Sequence, residues 1–531
     1  MNSLTACLLC GRVLAAAVLL GSVLRAQELQ WEKGGDFHLE QFGYSVAVVR
    51  DLDGDLVRDV LVGAPDAVFG RTAGSVFVLS GANGSLLSQI HGPSPGDCFG
   101  VAVEEVGDVD GDGVADFALG AHQRAAALPA AGPGFVTVVS GADGSLLHSF
   151  RGSALGDRFG TAIAGADLDG DGFGDVVVGA PGDFTLPGFA TAFSGATGFP
   201  LHTWSGDRSD DRFGVSLTVL EDVDLDGRPD VAIGAPQSSF TGPGYVRVFS
   251  GATSTVVFTS FGDAVGDEFG RSVDGGPDVD GDGLSDLAVG AVQFVDLCSP
   301  PGYARVLSGN DGSTLRTFAG TATSDFFGFS VCLGDDASGD GLADLLVGAP
   351  QPFTDCAGGP GYARLFSIRT DNELYSFIGE TALDLQTFLS GNFGLAVELV
   401  PDLDGDGIGE ILAGGPVEEV AGSNVGQVRL YRGNDLYAQA RPRSVSPGAV
   451  VKLTTAEGSP GNLTLVALTS VDGTPTFVIV FGIARFADDE RRVLSCNSPP
   501  ALSGSTLGFK AFALDDAGRL IDSADELIAF L

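Results

Sequence analysis

The sequence predicts an all-β chain: a seven-bladed β-propeller with calcium loops, followed by a small C-terminal β-sandwich, immunoglobulin-like in form. Three observations carry this expectation. A nine-residue acidic loop occurs seven times, its first aspartates at positions 51, 108, 167, 222, 278, 336 and 402. The period of 55 to 66 residues is too long for a helical solenoid and suits one four-stranded blade. The 80 glycines and 44% apolar residues among 531 point to many short strands joined by tight turns.

The best copy of the loop is DVDGDGVAD, with carboxylates at positions 1, 3, 5 and 9: Asp108, Asp110, Asp112 and Asp116. Glycines at positions 4 and 6 let the backbone turn back so that these oxygens converge. Converging carboxylates repel one another unless a cation lies between them. An oxygen-only ligand set, with a main-chain carbonyl expected at position 7, suits Ca²⁺ better than zinc or copper. The other copies offer Asp51, Asp53, Asp55 and Asp59; Asp167, Asp169, Asp171 and Asp175; Asp222, Asp224, Asp226 and Asp230; Asp278, Asp280, Asp282 and Asp286; Asp336, Ser338, Asp340 and Asp344; and Asp402, Asp404, Asp406 and Glu410. Leu56 and Leu225 replace glycines in the first and fourth copies, and Ser338 replaces a carboxylate in the sixth. The first and sixth are therefore expected to be the weakest of up to seven sites. The loops account for 27 of the 69 acidic residues, so much of the net charge of −41 is proposed ligand. With three lysines and no basic stripe, the composition argues against nucleic acid as a partner.

At the N-terminus, Arg12 precedes an apolar run from Val13 to Leu24, and Ala26 offers a small residue for cleavage before Gln27. Residues 1–26 therefore read as a signal peptide, and the protein as secreted, cell-surface or periplasmic. The LTAC at Leu4 to Cys7 precedes the apolar run instead of following it, which argues against lipidation. No later stretch reaches the roughly 18 apolar residues of a membrane span. The mature chain is expected to be soluble and monomeric.

Within 27–436, each unit opens with FG and an alternating strand, as in FGYSVAVV from Phe42, and the acidic loop follows. A second strand runs into a GAP-like end, such as DVLVGAP or DVVVGAP. A variable loop leads to a third strand such as GSVFVLSG, and a turn such as ANGS or ADGS leads to a fourth. FG, DxDGDGxxD and GAP recurring in that order resemble the FG-GAP repeat family, whose best-known members form the seven-bladed propeller of integrin alpha subunits. The resemblance spans roughly 27 to 436. It implies that the calcium loops join the first two strands of each blade, opposite the main partner-binding surface, and that their ligands are structural.

Ring closure follows from an offset. The outer strand before Phe99 begins at Leu86, and the same offset from Phe42 falls on Leu29, which opens LQWEKG. This stretch is expected to complete the last blade beside QVRLYRG from Gln427, removing an exposed sheet edge.

Function would then come from loops on the face away from calcium. The blade-joining loop GETALDLQTFLSG, Gly379 to Gly391, is the first candidate for contact with an extracellular protein or polysaccharide. Phe69, Phe184, Phe240, Phe294 and Phe353 recur in loops between second and third strands, either as an aromatic rim or as packing between blades. Cys298 and Cys356 occupy equivalent loops of adjacent repeats, as a disulfide or as two separate thiols; Cys332 reads as core.

There is no HExxH, no GxSxG and no phosphate-cradling loop. His91, His148 and His202 share a strand position, while His38 and His122 lie in loops without a matched nucleophile. The chain reads as a binding or adhesion module without enzymatic activity. The alternative is a calcium-dependent polysaccharide lyase or hydrolase on the same scaffold. A quinoprotein-like enzyme would want a tryptophan series, and only Trp31 and Trp204 are present. From 437 to 531 the acidic loops stop, and the runs VVKLTT, LTLVALT, TFVIVFG, LGFKAFAL and ELIAFL predict the sandwich, without a Cys…Trp…Cys signature.

Overall fold

In a computed structural model of the chain, the described residues are 29–36, 40–66, 72–123, 132–183, 186–237, 241–294, 299–351, 359–379, 392–403, 405–417, 419–420, 423–433 and six strands between 450 and 521. They fall into two units, Ala26–Asp435 and a second that contains Leu436–Leu531.

The first unit contains seven four-stranded antiparallel sheets. Blade 1 runs outward through Ser45–Val49, Asp59–Ala64, Ser75–Leu79 and Leu86–His91. First strands of successive blades touch one another around a closed ring, blade 7 against blade 1 included, so they surround a central axis. Second strands such as Asp59–Ala64, Asp175–Ala180 and Asp344–Ala349 are buried at every position because neighbouring blades cover both faces. This is why they read as unbroken apolar runs instead of alternating. The outer strand Leu86–His91 is largely exposed.

Leu29–Gly34 pairs antiparallel with Gln427–Tyr431 and forms the outer strand of blade 7, as the offset predicted. Trp31 makes this closing strand a clasp. Its side chain is buried, and its indole N–H donates to the Gly81 carbonyl of blade 1 at 2.7 Å.

The recurring FG and GAP motifs interlock consecutive blades. All seven FG phenylalanines, Phe42, Phe99, Phe159, Phe213, Phe269, Phe327 and Phe393, are fully buried. The Phe99, Phe159, Phe213 and Phe269 amides donate to carbonyls just before the third strand of the preceding blade. The following glycines stand at φ between 82° and 90°, a region nearly closed to side chains. At the GAP glycines the fit is tighter still: a Cβ on Gly179 would collide with the Gly214 carbonyl oxygen of the next blade. Backbone cannot yield there as a flexible side chain would. Gly179→Ala is therefore expected to cost about 3 kcal/mol, read as a lowered denaturant midpoint; an unchanged midpoint would refute the interlock.

In the second unit, Val450–Thr454 pairs with Val493–Asn497. A four-stranded sheet has Val480–Arg485, Leu463–Val471, Leu507–Leu514 and Leu520–Ile521 in that order. Val493–Asn497 was not among the predicted runs, and ELIAFL lies outside the described residues.

Candidate functional site

Each acidic loop joins the first and second strands of a blade. In five of them three carboxylates present oxygens within 4.8 Å of one another: Asp51, Asp53 and Asp59; Asp108, Asp110 and Asp116; Asp167, Asp169 and Asp175; Asp222, Asp224 and Asp230; and Asp278, Asp280 and Asp282. The loop's own backbone arranges this. In the second copy, Asp108 Oδ1 accepts from the Gly111 and Asp112 amides at 2.6 and 3.1 Å, and Oδ2 from Gly113 at 2.8 Å. Position 1 thus folds the turn around itself. The same amide bonds, from Gly281 and Gly283, hold the Asp278 carboxyl below the usual carboxylate range.

Position 9 ties the loop to the rest of its blade. Asp116 accepts from Val109 at 2.7 Å and from Gly141, after the third strand, at 2.9 Å. Asp175 and Asp230 repeat both bonds. Burial raises these two carboxyls to about 6 against the lowering effect of those amides. Hard oxygen donors, close spacing and desolvated carboxyls fit a metal ion.

The departures from the pattern act differently from one another. Leu56 and Leu225 keep the glycine conformation, at φ 74° and 62°, and are 92% and 76% exposed. The turn survives at the expense of backbone strain. Leu56→Gly is expected to stabilise the chain by about 1 kcal/mol, read as a higher melting temperature; an unchanged or lower one would show the strain to be absent. In the sixth copy, the Ser338 hydroxyl donates to Asp336 at 3.2 Å and to Asp344 at 3.4 Å. Burial, then the charges of Asp336 and Asp340, push Asp344 up to about 8. This loop is not among the five clusters found in the described residues. In the seventh, Asp404 lies outside them, while Asp402 accepts from Gly405, Asp406 and Gly407, and Glu410 from Leu403.

Other candidates have structural surroundings. His148 Nε2 lies 2.6 Å from the Gly195 carbonyl, His91 Nδ1 lies 3.0 Å from the Ser75 hydroxyl, and His202 packs on Trp204. Cys98 and Cys332 are buried, and the Cys98 thiol donates to the Gly96 carbonyl at 3.7 Å. Phe294 packs on Phe326, with ring centroids 5.6 Å apart. His38, Phe69, Phe184, Phe240, Phe353, Cys298, Cys356 and most of the loop from 379 to 391 lie outside the described residues.

Three features escaped the sequence reading although each keeps a fixed offset from FG. Two residues before the phenylalanine, Asp97, Asp157, Asp211, Asp267 and Asp325 are buried. They accept amides of the blade-joining turns, as Asp157 does from Ser153 and Ala154, and Asp325 also takes the Tyr362 hydroxyl at 2.6 Å. One residue before the phenylalanine, Gln41, Cys98, Arg158, Arg212, Glu268, Phe326 and Asn392 all stand at φ between 52° and 63°. Five residues after it, on the innermost strands, Glu104, Asp274 and Glu398 come from blades 2, 5 and 7 and act on one another electrostatically. Burial and then mutual repulsion push Glu104 up to about 8 and Glu398 well above its ordinary value; burial alone raises Asp274, to about 6.

The FG-GAP repeat family model matches residues 42–79, 159–196, 213–249, 269–299 and 327–363. Among curated proteins, the chain is 31% identical over 204 residues to integrin alpha-V of Gallus gallus, covering 35% of this chain and 19% of that protein. It is 32% identical over 212 residues to integrin alpha-5 of Xenopus laevis, covering 36% and 20%. It is 39% identical over 155 residues to integrin alpha-7 of Mus musculus, covering 27% and 13%. The chain thus spans no more than a fifth of the length of these relatives. Repeat motifs, blade count and this similarity agree: the chain carries FG-GAP repeats on a seven-bladed propeller related to integrin alpha N-terminal domains.

Proposed function

We propose that the protein is an exported, calcium-stabilised propeller that acts as a non-catalytic binding or adhesion module for a protein or carbohydrate partner. The observation that carries this reading is the repetition of one cation-suited carboxylate cluster in loop after loop of the same ring. A catalytic metal would be expected once, at a cleft; a cluster repeated around the ring suits a scaffold. Asp108, Asp110, Asp112 and Asp116, with their counterparts in the other loops, would hold the ions. Calcium there would neutralise carboxylates that otherwise repel, while this chain's amides keep them aimed inward. The structural contacts of His91, His148 and His202 favour this reading over a lyase or hydrolase. Among the described residues no helix is long and apolar enough to cross a membrane. The C-terminal strands are read as a sandwich serving as spacer or cap.

The test is ion stoichiometry by calorimetry on the chelator-stripped chain. Between five and seven bound calcium ions are expected; one or two would replace the scaffold reading with a localised, calcium-dependent site.

A further inference from the structure

We propose that the end of the ring of first strands opposite the acidic loops carries a carboxylate-docking site built on Arg271 and Arg212, and that its occupant is an Asp or Glu side chain on a loop of a partner protein. This rests on the binding-module reading and names the chemistry of its partner.

The backbone gives the first reason. The residue before each FG phenylalanine is left-handed in all seven blades, and none is glycine in a chain with 80 of them. A side chain in that conformation costs about 1 to 2 kcal/mol relative to glycine. The seven side chains differ widely in chemistry although the backbone is the same. Gln41, Cys98 and Glu268 are buried, whereas Arg158, Arg212, Phe326 and Asn392 keep part of their surface in solvent; at those four positions, strain kept while identity varies suits a recognition rim more than a packing device.

The charges give the second. Arg271 lies two residues after Phe269, at the start of an innermost strand, and is half-buried. Its guanidinium sits 4.1 Å from the ring centroid of Phe329, the equivalent residue of the next blade. Its electrostatic neighbours are Arg212, Glu268 and Tyr44. Glu268 is the one carboxylate among them, and it also faces Arg212 at 3.7 Å. Two guanidinium groups therefore share one carboxylate, on a chain whose net charge is −41. Burial, then the charge of Arg212, lowers Arg271 to about 10, so it stays charged near neutrality. A desolvated cation of this kind is ordinarily matched by an anion. The Phe329 ring covers one face of the guanidinium and leaves its edge donors for a planar, bidentate acceptor.

The apolar surround favours a protein over a sugar acid. Phe326, whose carbonyl accepts the amide of the Arg271-covering Phe329 at 3.0 Å, packs on Phe294, and Phe294 remains 36% exposed. A peptide loop with apolar residues beside its carboxylate would cover that ring. The hydroxyls of a uronic acid would instead require polar partners.

The calcium-loaded full chain is titrated with a short acetylated, amidated peptide carrying one Asp between apolar residues, with its Asn counterpart, with digalacturonate and with inorganic phosphate. Saturable binding of the Asp peptide is expected, about ten-fold tighter than the Asn peptide or phosphate. R271Q and R212Q should each weaken it about ten-fold, and R271K should recover only part of the loss. R316Q, on the outer strand Thr314–Ala319, should leave it unchanged. Equal binding of the Asp and Asn peptides, an equal loss in R316Q, or tighter binding of digalacturonate or phosphate would overturn the proposal. Melting of each variant reports its folding, and R212Q serves if R271Q does not fold. The same melts with and without calcium separate the two levels of inference. Calcium stabilisation without Asp-peptide binding removes only the docking site, whereas absence of calcium stabilisation removes the scaffold reading beneath it.

Discussion

Stripping calcium from the full chain is expected to lower its melting temperature by about 10 °C, with recovery on re-addition. A site held at ten times its dissociation constant contributes ~1.4 kcal/mol by linkage. Five to seven such sites contribute roughly 7 to 10 kcal/mol, comparable with the whole net stability of an ordinary domain. Spread over a propeller of roughly 400 residues, with an unfolding entropy near 2.1 cal/mol/K per residue, that is a shift of about 8 to 12 °C. The position-9 carboxylates predict how the loss spreads. Asp116 and Asp175 hold amides from both their own loop and the end of the third strand. Repulsion inside an emptied loop would therefore reach the blade itself. Hydrogen exchange should rise first in second strands such as Asp175–Ala180. A melting temperature indifferent to chelator would remove the structural role assigned to the loops.

At saturating calcium, replacing Glu104 or Glu398 by Gln is expected to raise the melting temperature at pH 8.5 and to leave it unchanged at pH 4. The carboxyls of Glu104 and Asp274 are raised in the fold to about 8 and about 6, and burial raises Glu398 well above its ordinary value. A raised acid withholds nothing while both folded and unfolded chains are protonated, below about pH 4. As pH climbs, the unfolded chain ionises first, and stability falls until the folded value is passed. For Glu104 the window therefore runs from about pH 4 to about 8. With Glu104 partly reached by solvent, about 2 kcal/mol is expected for E104Q at the alkaline end, and E398Q should move in the same direction. That corresponds to roughly 2 to 3 °C. Parallel pH profiles for wild type and E104Q/E398Q would show that the three carboxylates do not share the axis.

Much of the fold was legible because its devices are short and local. FG, the acidic loop and GAP each solve one steric problem at one place, so they recur as strings. Closure by Leu29–Gly34 was legible from the offset to Leu86. The axial carboxylates and Arg271 were not, because each needs three or four blades brought around a ring before its neighbours exist. Glu104 and Glu398 are separated by most of the propeller in sequence, and a scan for motifs treats them as ordinary strand residues. Leu56 and Leu225 marked departures, but only the backbone angles show that the turn persists through them. Val493–Asn497 was missed because charged residues precede its short apolar stretch.

The clasp at Leu29–Gly34 also sets a timetable. Its partner strand, Gln427–Tyr431, follows it by roughly 400 residues, so at synthesis rates of about 5 to 20 residues per second the two halves emerge ~20 to 80 s apart. During that interval blades can form one by one, each from local hairpins, but the circle stays open with one edge unpaired. Trp31 cannot reach Gly81 in its final geometry until the last blade has arrived to carry it. The slow, concentration-sensitive step of maturation therefore belongs to the two ends of the propeller, and truncation of either end should trap open rings prone to pairing with one another.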